Sequence, residues 1–351
     1  MKVLMMHRLR DRDNPYMTLL INALSAAGVE VAAPVSGRFH LWKSVFVKRR
    51  PDVVHLQWQH DYFTGATRWL AFRRSTQFLV QILGLRLARV PVAWTVHNIV
   101  NHEGRQARWE SLMCRILART VSALIVHCDE AVEAVATAYG VDPKRIRVVP
   151  HGHYADVYPA PREKELARRS LGIDSAARVL LFFGQVRPYK GLEELLDAFA
   201  KLEDPDIRLV VAGEPKFGME DVLRARAERD PRVNARLEFL PDDDLLDYIA
   251  ACDLVVLPYR KSLTSGAAIL AFSSGRPVVA PRLGCMRGFP PEAAVLFNPE
   301  SCDGLETALR EALSKPLEKM GQAGRDHVAR FPWSRVANQT IEVYQEAGAT
   351  W

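Results

Sequence analysis

Short apolar runs recur along this chain, separated by longer stretches whose apolar residues return every three or four positions. The runs predict buried strands, and the helical spacing predicts amphipathic helices. In the first half the predicted strands are Lys2–Met6, Val29–Ala33, Asp52–Leu56, Val92–Val96, Ala123–His127 and Arg145–Val149. Helical periods lie between them: Met17, Leu20, Ile21 and Leu24 before Gly28, then Thr67–Arg89 and Trp109–Val121. The second half repeats this grammar. Its predicted strands are Val179–Phe183, Arg208–Ala212, Arg236–Phe239, Leu254–Leu257, Val278–Ala280 and Ala294–Phe297. Its predicted helices are Gly191–Leu202, Met219–Glu228, Asp242–Ala251, Ser265–Ser274 and Ser301–Leu313. Strands alternating with helices predict parallel, doubly wound sheets. The chain therefore reads as α/β, with two Rossmann-like domains facing each other across a cleft. The boundaries are 1–155 and 156–330. Pro159–Leu171 reads as a linker, and 331–351 as a closing helix that packs back on the first domain.

In such sheets ligands sit beyond the carboxyl ends of the strands, and the polar residues of interest fall there. The run VLLFF ends in Gly184, Gln185, Arg187, Pro188, Lys190 and Gly191, and a helical period follows at once. A strand, a tight basic loop and a helix start suit a phosphate, because the helix offers free N–H groups and the positive end of its dipole. The other reading of this loop is a solvated turn with two surface cations. In LTSGAAILAF, Thr264, Ser265, Gly266 and Ala267 precede another apolar helical run. Ser265 reads as its N-cap, with little side chain to cover the amides of Gly266 and Ala267. A diphosphate would fit between these two stretches. Further candidates at strand ends are His97, Gly213, Glu214, Leu240, Tyr259, His151 and His153. Each histidine also reads as a hydrogen-bonded structural residue. Asp61 and Glu214 are the carboxylates nearest the expected cleft.

Composition narrows the class. With 351 residues, 48% hydrophobic and 25% charged, the chain has material for two packed domains. No apolar run reaches a membrane span and no leader precedes the first strand, which predicts a cytoplasmic location. The five cysteines are scattered without metal-ligand spacing. The net charge of +6 is uneven: residues 1–150 hold 21 Lys and Arg against 11 Asp and Glu, a surplus of ten. With no nucleic-acid motif present, that surplus points to an anionic membrane surface or an anionic substrate. Residues 36–119 hold 14 cations and 4 acids, interleaved with Trp42, Val45, Phe46, Trp69, Leu70 and Phe72. Either this face rests on anionic lipid, peripheral on the inner face of the plasma membrane, or the aromatics are core and the cations are solvated.

At these residues the chain resembles the GT-B glycosyltransferases of the large family-4-like group, over nearly its whole length. The resemblance is carried by FFGQVRPYKGLEELL, RLVVAGEP, ACDLVVLPY, TSGAAILAFSSGRPVVAP and the late FPW segment. A narrower likeness, on HNIVNHE, HGHYADVY, FGQVRPYKG and SGAAILAFSSGRP, is to xanthan-type mannosyltransferases and related exopolysaccharide enzymes. These move mannose from GDP-mannose, or another sugar, to a lipid-linked acceptor. The resemblance implies that Arg187 and Lys190 bind the donor diphosphate and steady the leaving nucleotide. It implies that Thr264, Ser265, Gly266 and Ala267 take the distal phosphate. Gly184, Gln185, Gly213, Glu214, Leu240 and Tyr259 would surround the rest of the donor. His97 and Asp61 would work on the transferred sugar, and Asn14, Tyr16, His151 and His153 would line the acceptor side. It implies no metal and no cofactor beyond the nucleotide-sugar co-substrate, with a polyprenyl-diphosphate-linked or other glycan acceptor and no nucleic acid.

The chain departs from the broad family in places. The two glutamates that usually stand eight residues apart before the G-x-P-V segment are Ser262 and Leu270 here. The usual glycine-arginine pair is Gly184-Gln185, with Arg187 two residues on and so on the same face of an extended stretch. A non-catalytic nucleotide-sugar-binding or scaffold protein on the same fold is the competing reading, and the missing glutamates favour it. Retention of Arg187, Lys190 and Ser265-Gly266 favours the transferase. A phosphorylase or epimerase on this fold is a third reading. Donor base, sugar, acceptor, stereochemical outcome and general base are left open by the residues.

Overall fold

The computed structural model describes residues 1–6, 15–33, 40–46, 50–99, 106–155, 157–158 and 162–349, apart from the side chains of His40, Ser44, Phe46 and Asp61. Asn14, and Val47 to Arg49 of the basic stretch, lie outside the described residues. The chain divides into two compact units, Met1–Gly152 with Phe331–Trp351, and His153–Arg330.

The first unit is built on β1 (Lys2–Met6), β2 (Glu30–Ala32), β3 (Val53–Leu56), β4 (Val92–Thr95), β5 (Ala123–Val126) and β6 (Ile146–Val148). These form one sheet in the order β2-β1-β3-β4-β5-β6, with every pairing parallel. β3, β4 and β5 are buried throughout. That is why they read as unbroken apolar runs rather than alternating ones. The helix Trp333–Glu346 packs on the helix Tyr16–Ala26, burying Val336, Ala337 and Tyr344 with Leu20 and Leu24. The end of the chain is thereby part of the first core.

The second unit holds β7 (Arg178–Phe183), β8 (Ile207–Ala212), β9 (Val233–Arg236), β10 (Leu254–Val256), β11 (Val278–Pro281) and β12 (Ala294–Phe297). Their order is β12-β11-β10-β7-β8-β9, again all parallel. The chain winds outward in one direction from β7 and in the other from β10. The crevice at that reversal, outside the carboxyl ends of β7 and β10, is where an open parallel sheet takes its ligand.

Three expectations change. The strand expected at Arg236–Phe239 is β9, three residues earlier. It pairs with β8 from Leu209↔Val233 to Ala212↔Arg236 and ends where β8 ends. Phe239 is consequently 58% exposed. The expected linker Pro159–Leu171 contains the helix Lys164–Ser170. Its charges misled the reading, because Arg168 is buried and holds Asp253 at 2.8 Å and the Ala251 carbonyl at 3.0 Å. In the basic-aromatic stretch, Leu41 and Val45 are core, and the Trp42 indole N–H donates to the Gln81 carbonyl at 3.1 Å. For that part Leu41 and Val45 belong to the interior and Trp42 is half-buried. Trp69 and Phe72 are exposed.

Candidate functional site

Both loops of interest in the second unit leave the sheet at its reversal point. After β7 the chain runs through Gly184, Gln185 and Val186 to Arg187, then a turn at Pro188–Lys190. Val186 bridges to Pro215 of the loop after β8, with Val186 N donating to the Glu214 carbonyl and Lys216 N to the Val186 carbonyl, each at 2.9 Å. A side chain at Gly213 would place its Cβ 2.1 Å from the Gly184 carbonyl, so the two loops touch through bare backbone. Gln185 accepts from Arg187 Nε at 3.0 Å and from Nη2 at 2.7 Å. Its amide thus aims the guanidinium, and the two side chains share a face as the two-residue spacing requires.

Lys190 curls back over this loop. Its ammonium lies 5.5 Å from the centre of the Tyr259 ring and 6.0 Å from that of Phe182. Burial, with the Arg187 guanidinium nearby, pulls its pKa down to about 8. Among the described residues no carboxylate pairs with it. A desolvated ammonium beside a guanidinium is stabilised by an anion, which would replace the lost hydration and cancel the repulsion. Tyr259, on the loop after β10, is buried with its hydroxyl facing Ser265. Ser265 caps the helix Gly266–Ser273, its Oγ accepting from Ala268 N at 3.2 Å. Gly266 and Ala267 then carry first-turn amides with no acceptor inside the helix. Tyr259 therefore joins the two halves of the candidate site: its ring lies under the Lys190 ammonium, and its hydroxyl meets the cap of the amide-rich helix start.

The loop depends on Gly191. Its φ is +71°, and a Cβ there would lie 1.9 Å from the Pro258 carbonyl oxygen. That clash is with backbone and cannot rotate away. Gly191→Ala is expected to destabilise the second unit by about 3 kcal/mol or more, read as a fall in the urea midpoint. An unchanged midpoint would show that the loop relaxes freely.

The remaining donor-side candidates sit on the same rim with less at stake. Glu214 is half-buried and ion-paired to Lys216. Thr264 precedes the cap, and Ser262 Oγ donates to its carbonyl at 3.2 Å. Leu240 lies four residues beyond β9, next to the helix Asp242–Ala251, and not at the strand end where it was expected. His153 belongs to the second unit, where its Nδ1 accepts from Ala155 N at 3.2 Å.

In the first unit the carboxyl ends of adjacent strands bring a set of rings together. His97 follows β4, His127 follows β5 and His151 follows β6, all buried. His97 Nε2 lies 2.5 Å from Gln57 Oε1, and its Nδ1 lies 3.4 Å from His127 Nε2. Its ring stacks on Trp58 at 4.0 Å and 6°. Gln57 reaches on to His55, which meets Tyr344 Oη at 2.6 Å and Thr95 Oγ1 at 2.7 Å. Tyr16 is the hub, with edge or tilted contacts to Trp58, His97, His127, His151 and Trp333. Burial pushes His55 and His151 down to about 3 and His127 to about 4, and pushes His97 well below its ordinary value. The array is neutral at pH 7. His97 has neither ring nitrogen open in this arrangement, so action as a base would require the Gln57 contact to part. Asp61 falls in the turn Gln59–Tyr62, and its side chain lies outside the described atoms.

Sequence reading missed Gln57, Trp58, His127, Tyr344 and Trp333. A signal existed for some of them: a ring or amide one to three residues past the end of each of β3, β4, β5 and β6. Trp58 also holds a left-handed backbone at φ 43°, ψ 54°. That conformation is strained for a tryptophan and is invisible in the sequence. Among the described residues no group of three or more His, Cys, Asp or Glu side chains is arranged to hold a metal.

Residues 177–315 match the family described as Glycosyl transferases group 1, and residues 32–157 match Glycosyltransferase Family 4. Over 269 residues the chain is 31% identical to the GDP-mannose:glycolipid 4-beta-D-mannosyltransferase of Xanthomonas campestris pv. campestris, covering 76% of this chain and 70% of that one. The chain belongs to the family-4-like GT-B glycosyltransferases. This glycosyltransferase is also 28% identical over 331 residues to the D-inositol 3-phosphate glycosyltransferase of Corynebacterium glutamicum, covering 86% and 74% of the two chains. Among solved structures, the fold of Anabaena Alr3699/HepE in complex with UDP superposes with a TM-score of 0.76 at 19% identity, over 98% of this chain and 100% of that one. Sucrose-phosphate synthase from Thermosynechococcus elongatus gives 0.75 at 18%, over 98% of each chain. The expected GT-B architecture and enzyme class are those of the glycosyltransferase in hand.

Proposed function

We propose that this glycosyltransferase binds the diphosphate of a nucleotide sugar at the reversal point of its second sheet, and moves a hexose from it to a lipid-linked or polysaccharide-precursor acceptor. The observation that carries the reading is the Lys190 ammonium, desolvated beside Arg187 and joined through Tyr259 to the capped helix start at Ser265. As the sugar–phosphate bond breaks, charge grows on the leaving nucleotide. Arg187 and Lys190, already positioned, stabilise it without reorganisation. The amides of Gly266 and Ala267 take the distal phosphate, so the diphosphate needs no metal. Gly213 and Gly184 let backbone approach the donor, while Glu214, Leu240 and Tyr259 border the nucleoside. In the first unit, Tyr16, His97, Asp61 and His151 serve the acceptor side and the sugar.

GDP-mannose is the favoured donor, because the Xanthomonas relative is named for it. UDP-glucose is the second reading, because the Anabaena neighbour has been solved with UDP and with UDP-glucose. An exopolysaccharide precursor carried on a lipid at the inner face of the plasma membrane is the matching acceptor. Thermal melts with GDP, UDP, GDP-mannose and UDP-glucose test the donor. A ligand at 100 times its Kd stabilises the fold by about 2.7 kcal/mol, so one base is expected to shift the midpoint by several degrees. Turnover is expected to survive excess chelator. Indifference to all four nucleotides would support the non-catalytic reading instead.

A further inference from the structure

We propose that the helix Arg68–Leu87, with its neighbour Ala107–Thr120, forms a face that lies flat on anionic lipid. The longer helix is apolar on two opposite sides. One side, with Ala71, Ser75, Phe78, Ile82 and Leu85, is buried in the unit. At 100° per residue, Trp69, Phe72, Val80, Leu83 and Leu87 fall on a single stripe centred on the other side. All five are exposed, Trp69 by 70% and Leu87 by 86%. An ordinary surface helix carries polar residues there. This one carries large apolar side chains near both ends of its length of about 30 Å, with Thr76 between them.

The neighbouring helix packs beside it, with Trp109 against Phe72 at 5.8 Å between ring centres. It adds exposed Leu112 and Ile116. The charge on this face has one sign. Arg73 lies beside the stripe and Arg68 and Arg86 flank it, all exposed, and Arg108, Arg115 and Arg119 are exposed on the second helix. The single acid of the two helices, Glu110, is buried against His60 at 2.5 Å.

That combination selects the occupant. A second copy of the chain, related by a twofold axis, would set arginine against arginine with no acid between them. A bilayer with anionic headgroups offers phosphates to the guanidinium groups and acyl chains to the stripe. No helix among the described residues is long and apolar enough to cross a membrane, so the contact is interfacial. The inference deepens the location given under the proposed function and rests on that reading only for the lipid nature of the acceptor. It uses the first unit, whereas nucleotide binding uses the second, so the two can fail separately.

Co-flotation of the full chain with vesicles tests it. At about 0.1 M salt the protein is expected to float with phosphatidylcholine vesicles containing 30% phosphatidylglycerol, and to stay behind with pure phosphatidylcholine. Leu83→Glu/Leu87→Glu changes only exposed positions and is expected to lower partitioning at least about tenfold, with nucleotide-induced thermal shifts retained. Failure of the unmodified protein to float with anionic vesicles would overturn the proposal without any variant. So would unchanged flotation of a folded double variant. A concentration-dependent dimer that the double variant abolishes, without vesicle binding, would assign the stripe to a second copy and overturn it as well.

Discussion

Lys190→Met is expected to raise the thermal midpoint of the nucleotide-free enzyme while lowering turnover by about 10²-fold or more. Both effects have one cause. The ammonium is held where burial and Arg187 pull its pKa to about 8, against an ordinary value of 10.5. A lysine whose folded pKa is depressed takes up fewer protons in the folded state than in the unfolded chain between those values. Its charge therefore opposes folding at pH 7, and the opposition fades as pH rises through the window from about 8 to 10.5. With partial exposure discounted, the neutral replacement is expected to gain about 2 kcal/mol. Under the proposed function the same charge meets the leaving diphosphate, and removing one preorganised donor at a developing anion lowers rates by about 10²- to 10³-fold. Arg187→Ala is expected to cost as much in turnover. Its guanidinium is held by Gln185 and it adds the smaller part of the Lys190 penalty, so any gain in stability is expected to be smaller than for Lys190→Met. Donor affinity is also expected to weaken above pH 8, as free Lys190 loses its proton. Circular-dichroism melts and initial rates check the pair. Normal turnover in both variants would place the phosphate elsewhere.

Acid is expected to unfold the first unit well before carboxylate titration would. His55, His127 and His151 are neutral when folded, with values near 3, 4 and 3, but titrate near 6.5 once released. From pH 6.5 down toward 4 the unfolded chain binds protons that the folded unit refuses, so stability is lost as pH falls through that window. At pH 5 each ring contributes a loss on the order of 2 kcal/mol. The urea midpoint, followed by tryptophan fluorescence, is expected to drop sharply between pH 7 and pH 5. His127→Asn/His151→Asn is expected to be weaker at pH 7 and to show a shallower drop. An equal drop in the double variant would place the acid sensitivity outside this array.

The sheets were legible because parallel strands buried on both faces are apolar throughout, and β1, β7 and β12 lie where the runs predict. The candidate loop stood out for a related reason: Gly184, Arg187, Lys190 and Gly191 follow such a run at once. What failed had weaker local signals. β9 is an edge strand whose length is set by β8, not by its own residues. The helix Lys164–Ser170 was hidden by charge, because the carboxylate that pairs with its buried Arg168 is that of Asp253, 85 positions away. The ring array draws members from the ends of β3 to β6 and from the last helix, so Tyr344 joins His55 across 289 positions. No local spacing announces such a cluster. The exposed stripe on Arg68–Leu87 was half legible: its cations and aromatics stood out, but which aromatics face outward is a matter of packing.

The most direct measurement is calorimetric titration of GDP and UDP into the nucleotide-free enzyme and into Arg187→Ala/Lys190→Met at pH 7. The unmodified enzyme is expected to bind one of the two nucleotides, and the double variant, still folded, to bind it at least about 100-fold more weakly. Equal affinity in the two proteins, or no binding of either nucleotide by the unmodified enzyme, would contradict a diphosphate site at the loop after β7.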